Sequence, residues 1–192
     1  MKILVSALEP SSNIHLKELA KELKDVEFYG IFDSSLKGTP LFDLSSFSVM
    51  GFVDVFKKIF FYKKALTLMA LESLKCDKVL LMDSSSFNIP LAKKIKKLDP
   101  NKEIIYYILP QVWAWKAWRA KQIDALCDKL ISIVPFDASF YKKSIYVGHP
   151  LIDEIKSFKD GVIKSDKIAF LAGSRAGEIK RLMPIFRELR QK

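Results

Sequence analysis

An aspartate that directly follows an apolar run is the first candidate for chemistry in this sequence. The stretch "LLMDSSSFNIP" places Asp83 after a strand-like segment and before a serine-rich turn, with a helix predicted from about Ile89 to Leu98. In open α/β sheets the carboxyl ends of the strands line the ligand crevice, so a carboxylate there can act as a general base on a hydroxyl group. The alternative is structural, because Asp83 can also order the turn by accepting hydrogen bonds from the amides of Ser85 or Ser86. The residues alone favour the structural interpretation slightly.

A second candidate, "FLAGSRAGE", combines residue types that suit a diphosphate. An apolar run leads into Gly173 and Ser174, and a predicted helix follows with Arg175 and Glu178 in its first turn. Glycine lets the backbone approach an anion, helix amides attract the anion, and arginine adds a bidentate cation. The same residues fit an ordinary helix start, in which Ser174 caps the helix and Glu178 completes a capping box. Both interpretations can hold together, and the segment lacks the glycines of a dinucleotide fingerprint.

The first predicted strand also ends in polar residues. In "ALEPSSNIH", Glu9 stands at the strand end, and Ser11, Ser12 and Asn13 follow it. Short polar side chains at this place cap the next helix, which is the simpler interpretation of all three.

Two stretches mix aromatic and basic residues. "PQVWAWKAWRAKQ" holds all three tryptophans, Trp113, Trp115 and Trp118, beside Lys116, Arg119 and Lys121. The other stretch is a predicted helix over about 53–75. Its apolar stripe comprises Phe52, Val55, Ile59, Tyr62 and Leu66, and its opposite side carries Lys57, Lys58 and Lys64, with Phe61 among these lysines. Aromatic rings among lysines suit an anionic membrane interface, although a core helix with one exposed phenylalanine explains the second stretch equally simply.

Composition agrees with an anionic partner. The 192 residues carry a formal charge of +10, which indicates binding to phosphate groups of a nucleic acid, a membrane or a substrate, or a lysine-rich solvated surface. The two cysteines and two histidines (Cys76, Cys127, His15 and His149) have no metal-ligand spacing, so we expect no metal site and interpret the histidines as packing residues. Free cysteines favour a reducing cytoplasm, and no run is long enough for a spanning helix or a signal peptide.

Strand-like and helix-like segments alternate along the chain. Strands are predicted at 2–7, 26–32, 77–83, 103–108, 129–134 and 144–150, and helices at 12–24, 53–75, 89–98 and from the tryptophan segment, with a polar loop at 33–46. This alternation predicts an α/β fold, a Rossmann-like doubly wound parallel sheet, over residues 1–155. Residues 156–166 read as a linker. Residues 167–192 read as the first βα unit of a second α/β domain, most of which is absent here.

These segments resemble those of the lipid-A-disaccharide synthase family, inverting glycosyltransferases with the two-domain GT-B fold. The matching stretches occur in the family's order: "EPSS", "MGFVDV", "DSSSFNIPLAKKIK", "PQVWAWKAWRAKQI", "PFDASFY", "VGHPL" and "LAGSRAGEI". The resemblance departs at Leu8–Asn13, where both glycines and the aspartate of the family's Gly-Glu-Pro/Ala-Ser-Gly-Asp loop are replaced, and at Ala172, where proline is usual. The family extends for about as long again, so we expect this chain alone to be inactive.

The resemblance implies a function and a set of roles. UDP-2,3-diacylglucosamine would be the donor and 2,3-diacylglucosamine 1-phosphate the acceptor, joined by a β-1,6 bond without metal or cofactor at the inner face of the bacterial inner membrane. Asp83 would be the general base. Substrate contacts would come from Glu9, Ser11, Asn88, Gln111, Trp113 and Arg119, and diphosphate contacts from Gly173, Ser174, Arg175 and Glu178.

The residues leave other functions open. Another UDP-sugar transferase or epimerase of the same fold is the main alternative, and a non-catalytic membrane-surface module is a further one. A nucleic-acid-binding module ranks low, because the chain has no helix-turn-helix and no aromatic RNA-binding strand. An oligomer is compatible with the sequence but not indicated by it.

Overall fold

The computed structural model describes residues 1–48, 55–112, 117–152, 155, 167–173 and 176–191. The chain divides into two compact units, Met1–Glu154 and Ile155–Lys192. The assignment of the second unit to a nucleotide-sugar-binding domain stays a prediction.

A parallel sheet forms the first unit. Its strands are β1 Lys2–Ala7, β2 Glu27–Phe32, β3 Thr39–Asp43, β4 Lys78–Met82, β5 Ile104–Tyr107, β6 Lys129–Ser132 and β7 Ser144–Tyr146. The helices that accompany them are α1 Pro10–Glu22, α2 Ser45–Ser48, α3 Val55–Glu72, α4 Ser85–Leu98 and α5 Trp118–Leu126. The strand order is β3-β2-β1-β4-β5-β6-β7, and every pairing is parallel.

Helices cover both faces of the sheet, because successive strand residues point to opposite sides. Leu4, Leu81 and Tyr106 face one core, which α3, α4 and α5 complete. Val5 and Leu80 face the other core, to which α1 contributes Leu16. The prediction of a Rossmann-like, doubly wound α/β fold is therefore confirmed.

The predicted polar loop at 33–46 is wrong in part, since it contains β3 and α2. Thr39–Asp43 pairs with β2 through a register shift between Gly30 and Ile31, and this edge position tolerates Pro40, which cannot donate to a ladder. Asp43 orders the turns on both sides by accepting hydrogen bonds from the amides of Ser34, at 2.8 Å, and Ser45, at 2.9 Å. Local polar bonds of this kind are not visible in hydrophobic periodicity.

The helix predicted from Ile89 begins earlier, at Ser85. The carbonyl oxygen of Ser84 accepts the amides of Phe87 and Asn88, both at 3.0 Å, so the serine-rich turn is itself the first helical turn. The helix after the first strand likewise begins at Pro10 instead of Ser12, because proline suits the first helical position.

The strand predicted at the start of the second unit is not formed. Lys167–Gly173 has no strand ladder, whereas the following helix, α6 Ala176–Gln191, is present. A strand is defined by bonds to a neighbouring strand, and the described part of this unit offers no partner.

Phe61 does not lie on an exposed lysine face, so that prediction is wrong. Its ring packs against Phe42 and Phe47, with centroids 5.5 and 5.0 Å apart, at the edge of the larger core. Ile59 and Phe60 are the exposed apolar side chains here, at 48% and 72% exposure. Of the predicted stripe, Tyr62 and Leu66 pack against the core, but the buried residues of this helix include Ala65 and Met69, so the stripe is rotated from the predicted one. Phe52 and the side chains of Val55, Lys57 and Lys58 lie outside the described residues. No helix in the described ranges is long and apolar enough to cross a bilayer.

We expect Phe61→Ala to lower the free energy of unfolding by about 2–4 kcal/mol, because it removes a packed ring and leaves a cavity. The matched control is Phe60→Ala, which should change stability by no more than about 0.5 kcal/mol, since that ring is exposed. Urea unfolding of the chain measures both. Equal effects of the two substitutions would contradict the assignment of Phe61 to the core.

Candidate active site

Three residues in left-handed backbone conformations meet at the carboxyl ends of β4 and β5. Asp83 and Ser84 have φ of 50° and 35°, and Ile108 has φ of 62°. Aspartate tolerates this region, but a β-branched residue rarely enters it. Strain of this kind persists only where surrounding contacts impose it, and it clusters at functional sites. The turn after β4 is therefore a strong site candidate.

Hydrogen bonds fix the backbone of Asp83 from three sides. Its carbonyl oxygen accepts from Asn88 Nδ2 at 2.9 Å and from the Tyr106 hydroxyl, and its amide donates to the carbonyl of Ile108 at 3.2 Å. The carboxylate of Asp83 takes no part in these three bonds; it accepts a hydrogen bond from the Ser84 amide within the turn.

Asn88 is enclosed, so its expected role in contacting substrate needs correction. The side chain is fully buried; its Nδ2 also donates to the Met82 carbonyl at 3.0 Å, and its Oδ1 accepts from Ser6 Oγ at 2.6 Å. No face of the amide remains for a ligand. Asn88 instead positions the end of β4 against β1.

A cavity of about 390 Å³ opens beside Asp83. It is lined by Asp83, Ser85, Ile108, Leu109, Pro110, Gln111, Val112 and Arg119. The structure thus brings together three of the residues expected from sequence: Asp83, Gln111 and Arg119. Asp83 and Arg119 are the charged residues of the lining, and Arg119 Nη1 donates to Ser85 Oγ at 2.7 Å. The cavity can therefore receive a hydroxyl group near a base and an anion near a guanidinium.

Burial raises the pKa of the Asp83 carboxyl above its ordinary value, and the nearby charge of Glu9 raises it further. A hydrogen bond from the Ser84 amide opposes these effects without cancelling them. A carboxylate with a raised pKa is a better proton acceptor, which is the property that a general base requires.

Glu9 lies on the other side of Ser84, where it lines a smaller cavity of about 190 Å³ with Tyr62 and Phe87 among its neighbours. Its Oε1 accepts from Ser84 Oγ at 3.3 Å, so Glu9 and Asp83 flank the same turn. Ser11, by contrast, is an exposed residue of the first turn of α1 and is absent from the linings of both cavities.

The expectation that Ser11, Ser12 and Asn13 cap α1 is wrong. The cap residue is Glu9, which makes no side-chain cap bond. Asn13 bonds backwards instead: Nδ2 donates to the carbonyls of Ala7 and Glu9, both at 2.9 Å, and Oδ1 accepts from the Asp33 amide at 2.8 Å. One amide therefore ties the ends of β1 and β2 to the helix.

Of the residues expected to bind the diphosphate, Gly173 and Glu178 are described in the second unit, and their role stays a prediction. Gly173 has φ of 83°, a backbone conformation that favours glycine because a side chain there would be strained. Glu178 stands in the first turn of α6. Ser174, Arg175 and Trp113 lie outside the described residues.

The roles of Tyr106 and Ile108 are not indicated by the sequence, which indicates Ser85 only as a possible amide donor to Asp83. In the sequence Tyr106 is one of several apolar strand residues, and nothing indicates that its hydroxyl reaches across to the neighbouring strand.

Other residues noted in the sequence have structural contacts. Within "PFDASFY", Tyr141 donates to the Pro110 carbonyl at 2.7 Å and so supports the cavity wall. His15 and His149 pack edge to face, with ring centroids 5.7 Å apart.

Metal-ligating side chains are not gathered anywhere in the described part of the chain, where no group of three or more His, Cys, Asp or Glu could hold an ion.

Comparison with known proteins places these features in one family. A family model described as lipid-A-disaccharide synthetase matches residues 3–192. The lipid-A-disaccharide synthase of Helicobacter pylori strain J99 is 55% identical over 96% of this chain and 51% of its own length. Those of Helicobacter acinonychis and Campylobacter jejuni are 54% and 49% identical, over 97% and 98% of this chain and 51% and 58% of their own lengths. The chain thus spans about half the length of the curated relatives it matches, and it belongs to the lipid-A-disaccharide synthetase family.

Proposed function

We propose that this chain carries the acceptor side and the general base of a glycosyltransferase that joins two acylated glucosamines in lipid A synthesis. The donor is UDP-2,3-diacylglucosamine, the acceptor is 2,3-diacylglucosamine 1-phosphate, and the products are the β-1,6-linked disaccharide 1-phosphate and UDP. Family membership supports the reaction class. The observation that carries the proposal is the carboxylate of Asp83, held on a strained turn at the wall of a cavity that also contains Arg119.

In the proposed step, Asp83 takes the proton of the acceptor 6-hydroxyl while that oxygen attacks the anomeric carbon of the donor. The bond from this carbon to the diphosphate breaks, and UDP leaves with the electron pair. Attack from the face opposite the leaving group inverts the α-configuration of the donor to β. Arg175 and the helix amides after Gly173 would stabilise the charge that develops on the diphosphate. No metal ion takes part.

The remaining contacts have distinct roles in this proposal. Gln111 and Arg119 bind the acceptor in the larger cavity, Glu9 and Ser11 stand at its approach, and Trp113 shapes the rim. Glu178 holds the turn at Gly173, against which it packs.

Both substrates are anionic lipids, so we propose that the protein works at the inner face of the inner membrane. The exposed end of α3 supports this location: Phe60 is 72% exposed, and Lys63 and Lys64 are exposed beside it. An apolar ring flanked by lysines matches the interface between headgroups and acyl chains.

The test of the activity is a chimera in which this chain replaces the matching half of the Helicobacter pylori enzyme. We expect it to form UDP and the disaccharide in the presence of EDTA, with a β-linkage by proton NMR. Asp83→Asn should lower kcat roughly 10²- to 10⁴-fold, because asparagine keeps the shape but cannot accept the proton.

The control for that assay is Asp25→Asn, which removes an exposed carboxylate at the amino end of β2 and should leave kcat unchanged. A folded chimera without transferase activity would contradict the proposed function. Near-normal turnover by Asp83→Asn would reject Asp83 as the base and leave it a turn residue.

The raised pKa of Asp83 also predicts how stability depends on pH. The folded state holds the Asp83 proton more tightly than the unfolded state, so this group favours the fold when protonated. Its contribution declines as pH rises from about 3.9, the ordinary aspartate pKa, through the raised folded pKa. The free energy of unfolding of Asp83→Asn, relative to that of the native chain, should therefore be higher at pH 7 than at pH 3.5. Urea unfolding at both pH values measures this, and a constant difference would contradict it.

Membrane binding is tested with Phe60→Ser combined with Lys63→Gln and Lys64→Gln. We expect the triple variant to bind anionic phosphatidylglycerol vesicles at least about 30-fold more weakly in sedimentation. The two lysines account for about 2 kcal/mol of this, at about 1 kcal/mol each, and the loss of the Phe60 ring adds to it. Lys142→Gln with Lys143→Gln removes the same charge from another exposed site and should have little effect. Equal losses in both variants would mean that net charge, and not this surface, drives binding.

A further inference from the structure

Arg119 stands in the candidate cavity without an ion-pair partner among the described residues. Its contacts are with neutral groups: Nη1 donates to Ser85 Oγ at 2.7 Å, and its guanidinium carbon lies 5.7 Å from the centroid of the Trp118 ring. A guanidinium has five N–H donors, so most of its donors stay available to a ligand. Several lysines of the same unit, among them Lys78 and Lys96, are by contrast paired with carboxylates.

Neighbouring residues also fix the position of the Arg119 guanidinium. Ser85 belongs to the first turn of α4, directly after the strained Asp83–Ser84 pair, so the hydrogen bond ties the guanidinium to the turn that carries the base. The ring of Trp118 lies beside the guanidinium, and Ala120 and Ile123 anchor α5 in the core. A planar cation fixed in this way suits a phosphate monoester, whose oxygens can accept two parallel N–H bonds.

We propose that Arg119, set by Ser85, is the subsite for the 1-phosphate of the acceptor sugar. This inference rests on the proposed function, which assigns the cavity of Asp83 to the acceptor. In a hexose the anomeric phosphate is attached to C1, and the 6-hydroxyl is carried by C6, which is attached to C5. C1 and C5 are the two carbons bonded to the ring oxygen, so both groups lie on the same side of the sugar ring's outline. Binding the phosphate at Arg119 therefore directs the 6-hydroxyl towards the carboxylate in the same cavity. Arg119 thereby selects a phosphorylated acceptor and orients the nucleophile.

The experiment measures binding to the 192-residue chain and does not depend on turnover. The probes are glucosamine 1-phosphate, glucosamine and UDP, titrated at constant ionic strength and followed by tryptophan fluorescence. All three tryptophans lie within residues 113–118, next to Arg119 in the sequence. We expect glucosamine 1-phosphate to bind at least about tenfold more tightly than glucosamine, the usual net effect of a charge-assisted hydrogen bond.

Three variants test whether Arg119 carries that preference. Arg119→Gln should abolish the preference for glucosamine 1-phosphate over glucosamine. Arg119→Lys should retain part of this preference, because lysine keeps the charge but cannot donate two parallel hydrogen bonds. Ser85→Ala should weaken the preference less than Arg119→Gln does. Lys121→Gln, which removes an exposed charge two residues along α5, is the matched control and should leave the preference intact.

Two results would overturn the subsite. One is a preference for phosphate that Lys121→Gln reduces as much as Arg119→Gln does, which would mean non-specific attraction. The other is an Arg119 dependence found for UDP and not for glucosamine 1-phosphate, which would assign the cavity to the donor. A chimera without transferase activity whose chain keeps the Arg119-dependent preference would reject the proposed function alone.

Discussion

The carbonyl oxygen of Asp83 accepts two hydrogen bonds, from Asn88 and from Tyr106, and the geometry of the candidate site depends on this pair. Asn88 comes from the helix that follows Asp83, whereas Tyr106 comes from the neighbouring strand. Left-handed residues cost of order 1–3 kcal/mol each, and hydrogen bonds to buried neutral groups return about 1 kcal/mol each. The turn is therefore maintained by the packed elements around it and not by its own preference. Burial raises the pKa of Tyr106 well above its usual value, so its hydroxyl keeps the proton that it donates.

The backbone and the side chain of Asp83 have different surroundings. The backbone joins β4, α4 and β5, while the carboxylate lines the larger cavity. The turn-forming interpretation named the amides of Ser85 or Ser86 as donors to the carboxylate, whereas the donor in the structure is the Ser84 amide. The carboxylate is partly buried at the wall of the cavity that Arg119 also lines, and burial there disfavours its ionised form.

Much of the fold follows from the sequence because apolar runs and their spacing determine which segments are strands and which are helices. Six of the seven strands of the first unit were predictable on that basis. The strand at Thr39–Asp43 was not, since polar bonds from Asp43 and an irregular pairing at Gly30 create it. The burial of Phe61 was not predictable for a similar reason. A helical projection gives the angles between side chains around the helix, but it does not give which side of the helix packs against the sheet. At the site, Asp83, Gln111 and Arg119 were recognisable from the resemblance. The roles of Tyr106 and Asn88 depend on contacts between separate elements, which no local pattern encodes.

The strand order has a consequence for how the chain is built during synthesis. The strand made first, β1, lies inside the sheet, between β2 and β4, so it lacks one neighbour until Lys78–Met82 has left the ribosome. From that point β5, β6 and β7 each add to the same growing edge in the order of translation. The nascent chain must therefore shield the apolar side of β1 through some seventy residues of synthesis, after which the sheet extends one strand at a time without rearranging earlier pairings.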